Sequence, residues 1–79
     1  MKVKQLQWTL TDDGTLVANV MLGTYFEIKS KIEYSTISGI YVTAFYLYYN
    51  KALVEQFLKL YNAQVFAQKE LEEGVGEDE

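Results

Sequence analysis

The sequence predicts an α+β protein: a four-stranded antiparallel meander followed by one C-terminal helix packed on one sheet face, in the order ββββα. Three observations predict it. Apolar and polar residues alternate through much of the first half of the chain, Gly14, Gly23 and Gly39 punctuate that alternation, and the period lengthens to that of a helix after Asn50. With 79 residues, 49% of them hydrophobic and 15% aromatic, the chain suffices for one domain and carries too much apolar weight for disorder.

The first strand is residues 4–10, where Leu6, Trp8 and Leu10 take one face and Gln5, Gln7 and Thr9 the other. Asp12-Asp13-Gly14 then supplies hairpin-turn chemistry, because glycine accepts a positive φ and aspartates bond nearby amides. The second strand runs from Thr15 to Met21, with Leu16, Ala18 and Val20 opposite Val17 and Met21. Leu22-Gly23 marks the next turn, and the third strand opens at Thr24. Its Phe26, Ile28, Ile32 and Tyr34 share one side, and Glu27, Lys29, Lys31 and Glu33 form a wet opposite side. Ser35 to Gly39 breaks the pattern. The fourth strand, Ile40 to Tyr48, is apolar on both sides, and such a strand is normally covered on both.

From Asn50 the period reads as helical. Asn50 takes the N-cap, Tyr49 and Val54 form a hydrophobic staple, and Glu55 with Lys59 makes an i,i+4 pair. Leu53, Val54, Phe57, Leu60, Tyr61 and Val65 make the apolar stripe, while Phe66 falls on the outer side among Glu55, Asn62 and Lys69. The helix frays near Glu72, so residues 1–72 form a single domain and 73–79 a disordered acidic tail.

That tail shapes the net charge of −4: residues 70–79 hold six acids and no base, which leaves seven lysines against five acids in the rest. The absence of arginine weighs against reading phosphates or guanine edges, and no stretch approaches the ~20 apolar residues of a membrane span. The start MKVKQLQW has no apolar signal segment, so an intracellular, cytoplasmic location is expected.

Enzymatic chemistry is not expected. Without cysteine or histidine, a nucleophile would have to be Ser30, Ser35, Ser38 or a threonine, and no elbow motif surrounds any of them. The adjacent pair Asp12-Asp13 reads as turn chemistry before acid–base chemistry. Thiolate and imidazole ligands are missing, the tail lacks a calcium-loop spacing, and no phosphate-loop pattern occurs among the glycines, so neither metal nor cofactor is expected.

Residues 8–28, WTLTDDGTLVANVMLGTYFEI, carry Trp8, Gly14, Ala18, Gly23 and Tyr25 at the spacing W-x5-G-x3-A-x4-G-x-Y. In this the chain resembles a group of small bacterial and prophage-encoded proteins with the same strands-then-helix order, although its tyrosine-rich fourth strand and Leu/Phe-rich helix are heavier than the alanine-rich version. The resemblance implies a phage or mobile-element setting, in a bacterial cell or phage-infected host, and no mechanism.

One helix covers one face of a sheet, so the two-sided fourth strand calls for a second copy or another protein. The expectation is a non-enzymatic interaction module, a homodimer, with Tyr41, Phe45, Tyr46, Tyr48, Tyr49 and Phe66 as interface candidates. Two other readings stand beside it. One is a small phage inhibitor of a host nucleic-acid-handling or defence protein, its acidic tail helping to mimic nucleic acid. The other is a single-strand nucleic-acid binder using Lys29, Lys31 and neighbouring tyrosines, against which Glu27 and Glu33 weigh.

Overall fold

The chain folds as an antiparallel sheet with a single helix at its C-terminal end, and a computed structural model describes residues 5–21 and 23–76. The elements are β1 (Thr9–Leu10), β2 (Leu16–Met21), β3 (Thr24–Ser35), β4 (Ile40–Tyr49), β5 (Ala52–Phe57) and α1 (Leu60–Gly76). The strands pair in sequence order, β1-β2-β3-β4-β5, so every connection is a hairpin. Tight turns make this possible: Gly14, Gly23 and Gly39 hold φ values of +86, +83 and +76, which residues with a Cβ seldom adopt. Of the predicted Leu22-Gly23 turn, Leu22 lies outside the described residues.

Two expectations are corrected. The sheet has five strands, and the segment taken as the first half of the helix is β5. Asn50 is a turn residue and not an N-cap: Asn50 and Lys51 have φ 49 and 73, the two consecutive positive values of a type I′ hairpin turn. Asparagine tolerates that conformation, and here it is also anchored across the sheet. The Tyr25 amide donates to Asn50 Oδ1 at 2.9 Å, and the Asn50 amide donates to the Tyr25 carbonyl at 3.0 Å. With the chain reversed at this point, Ala52–Phe57 lies against β4, so the Tyr49/Val54 staple and the helical Glu55/Lys59 pair do not form. A bulge at Val54 pairs Leu47 with Glu55 and Tyr48 with Leu53.

The first strand is also shorter than predicted. Residues 5–8 leave the ladder, and the Leu6 amide donates at 2.9 Å to Gln68 Oε1 of α1 instead of to a strand. Leu6 and Trp8 still turn inward, joining the core by packing near the helix.

The core gathers Leu6, Ala18, Phe26, Ile28 and Leu47 under Ala63, Ala67 and Leu71 of α1. Those three helix residues are spaced i, i+4, i+8, one stripe of a helical surface, and two alanines let the helix axis approach the sheet closely. The charges at its ends do not favour it. The first turn has no acid, the last turn no base, and Lys59 precedes the helix, all opposite to what the macrodipole favours. Helix propensity comes instead from the Ala, Leu, Gln, Lys and Glu residues of the segment, and burial of the alanine stripe fixes which face turns inward. The helix runs to Gly76, four residues beyond the predicted boundary; residues 77–79 of the predicted tail lie outside the described set.

Candidate interaction surface

The ladder between β3 and β4 is regular from Phe26↔Tyr49 to Ser35↔Ile40, and paired residues share a face. Even residues of β3 and odd residues of β4 thus lie on the helix side. There Tyr49 packs on Phe26 with ring centroids 4.9 Å apart, Phe45 borders the core, and Phe57 of β5 meets Phe66 at 5.4 Å. Phe66 is half-buried against the core, not placed on an outer helix face, because Leu53, Val54 and Phe57 belong to β5 and the inner face of the helix is set by Ala63 and Ala67. Tyr61 and Val65, expected in the buried stripe, are exposed instead.

Tyr46 and Tyr48 lie on the opposite face. The Tyr46 hydroxyl donates to Glu33 Oε2, and this bond passes over the Lys31↔Ala44 pair, where Ala44 is fully buried. The bond to Glu33 holds the Tyr46 phenol above its ordinary pKa, with desolvation and the Glu33 charge adding to the effect. Lys29 Nζ sits 5.5 Å from the centre of the Tyr48 ring, a cation–π distance. Side chains cover one another on this face, which is how a strand apolar on both sides tolerates a single helix.

The uncovered part is elsewhere. β2 pairs with β3 only as far as Leu16↔Ile28, and β5 with β4 only as far as Phe45↔Phe57. Past those pairs the β3–β4 hairpin projects as a two-stranded arm, residues 30–44, which stretches the molecule to 47 × 26 × 19 Å. On the arm Ile32 is 72% exposed, Tyr41 72% and Ile37 99%, with Tyr34 and Ile40 also exposed. Tyr34 and Tyr41 stack edge to face at 5.2 Å, the arm's own main apolar contact.

Of the six predicted candidates, the structure therefore places Tyr41 on the arm, Phe45, Tyr49 and Phe66 on the helix side, and Tyr46 and Tyr48 opposite. It does not bring them into one patch. Residues 40–49, Ile40 among them, are the strand expected to form the contact surface, whereas the arm residues Ile32, Tyr34 and Ile37 are not singled out by the sequence. The signal was strand length: a third strand of 12 residues beside a second of 6 must overhang it.

Asp13 belongs to the first turn. Its Oδ1 accepts from Thr11 Oγ1 and, at 3.1 Å, from the Thr15 amide. These bonds, the Thr11 hydroxyl first, hold its carboxyl below the usual 3.8. Among the described residues no three acidic side chains gather to hold a metal ion, and no helix is long and apolar enough to cross a membrane. An open groove of about 620 Å³ runs between the N-terminal segment and α1, bordered by Trp8, Gln64, Val65 and Gln68. No family model, curated protein or solved structure matches the chain.

Proposed function

We propose that the chain is a non-enzymatic protein–protein interaction module that acts as a homo-oligomer, with the β3–β4 arm as its contact element. The supporting observation is the arm itself: two strands bearing exposed Ile32, Tyr34, Ile37, Ile40 and Tyr41, without helix or flanking strand among the described residues. A two-stranded hairpin is marginal in water, and exposed apolar residues gathered on one such arm, Ile32, Tyr34 and Tyr41 on one face of it, mark an interaction site. Sedimentation velocity at micromolar concentration tests it. An oligomer that dissociates on dilution is expected, and a 9.1 kDa monomer that binds no apolar dye overturns the reading.

A second reading, single-stranded nucleic-acid binding, draws on Lys29, Lys31, Tyr46 and Tyr48 around one shallow depression. Tyr48 already has Lys29 against its ring and Tyr46 is tied to Glu33, so both would have to give up contacts to stack on a base. Binding to a single-stranded oligonucleotide that weakens with salt supports this reading, and a flat titration at low salt removes it.

A further inference from the structure

We infer that a second copy of this chain pairs its own β3 with the outer edge of β3 about a two-fold axis through Ile32, merging two two-stranded arms into one four-stranded antiparallel sheet. The inference rests on the homo-oligomer reading and specifies its seam.

The ladder fixes which groups face that edge. The Tyr25 carbonyl accepts from Asn50 and the Ser35 carbonyl from Gly39, so odd residues of β3 turn their backbone polar groups towards β4. In a regular antiparallel ladder the even residues then turn theirs the other way. From Phe26 to Ile28 these outward groups meet β2, but Ser30, Ile32 and Tyr34 lie past its end. Three consecutive sets of backbone donors and acceptors thus stand in line on the arm, with no strand beside them among the described residues. An open edge of this kind is a template for another strand.

Charge selects the register. An isologous antiparallel pair puts one residue on its two-fold axis. With Glu33 there, two carboxylates oppose each other; with Lys31 there, two ammonium groups do. With Ile32 on the axis, Lys31 of each copy opposes Glu33 of the other, Ile32 opposes its own equivalent, and Ser30 opposes Tyr34. The backbone phase agrees: Ile32/Ile32 and Ser30/Tyr34 become hydrogen-bonded pairs, while Lys31/Glu33 falls at the non-hydrogen-bonded position where side chains come closest.

The test uses the full chain. Lys31→Glu and Glu33→Lys each place like charges at both symmetry-related positions, and each is expected to weaken self-association about tenfold or more. Mixed in equal amounts, the two variants should associate again, because the new acid at position 31 of one chain faces the new base at position 33 of the other. Ile32→Cys, in a chain with no other cysteine, should give a covalent dimer on mild oxidation, since a hydrogen-bonded pair holds its Cα atoms about 5.5 Å apart. Val42→Cys should not. Far-UV circular dichroism establishes that each variant is folded. An oligomer in which the charge variants behave as wild type and position 32 does not cross-link, or in which position 42 does, overturns this seam and leaves the homo-oligomer standing. A monomeric wild-type chain removes both.

Discussion

Ile28 and Ile32 are the same residue type on the same face of the same strand, four residues apart, yet Ile28 is 2% exposed and Ile32 72%. Nothing local separates them. Ile28 has β2 on one side, Leu47 on the other and α1 above, whereas Ile32 has only Thr43 across the hairpin. The body and the arm of one hairpin thus differ in what lies around them and hardly at all in pattern. Alternation tells which side a residue takes; the lengths of the neighbouring elements tell whether anything covers it.

The strongest way to break this contrast is to truncate both halves. Leu47→Ala opens a cavity at a fully buried site and should cost about 2–5 kcal/mol, a large part of the roughly 4–12 kcal/mol expected for a domain of this size. Ile32→Ala, measured by urea unfolding at a concentration where the chain is dissociated, should change stability by less than about 0.5 kcal/mol. Equal losses at the two sites would mean that the arm is packed. Next in size, Ala67→Leu should destabilise by about 1–3 kcal/mol, because a larger side chain lifts α1 from the sheet; an unchanged denaturation midpoint would show that the helix has room.

Smaller effects sharpen the turn that separates β4 from β5. Asn50→Ala should cost about 1–2 kcal/mol, through a left-handed backbone without asparagine and the loss of the acceptor for the Tyr25 amide. Lys51→Gly should gain up to about 1 kcal/mol by relieving the strained second position. Both are read from the urea midpoint. The smallest expected effect is a titration. Tyr46, held protonated by Glu33, should ionise above the ordinary phenol pKa of about 10 in an ultraviolet pH titration. The stability this bond supplies is complete below the unfolded phenol pKa near 10 and is lost as pH rises through the raised folded value; Tyr46→Phe should delete that ionisation.

Most of the sheet was legible because its signals are local. Asp12-Asp13-Gly14 specifies a turn wherever it stands, and the alternation from Thr24 to Ser35 and from Ile40 to Tyr49 has the period of a strand. The segment Ala52–Phe57 was not, because ALVEQF also fits one turn and a half of an amphipathic helix, and only the Asn50 anchor on Tyr25 decides between them. Phe66 is misplaced for the same cause: Leu53, Val54 and Phe57, which belong to β5, define the wrong inner face for the helix, whereas Ala63, Ala67 and Leu71 define the right one. The arm escaped notice because exposure of Ile32 or Tyr34 follows from where β2 and β5 stop, a property of their neighbours.

A helix whose end charges run against its dipole, and whose inner face is two alanines and a leucine, is a cover for the sheet beneath it. During synthesis the five strands leave the ribosome before residues 60–76 do, so Phe26, Ile28 and Leu47 wait in water until their cover arrives. Residues 60–76 accordingly roof the core, and a chain without them leaves the apolar face of Phe26, Ile28 and Leu47 open to water.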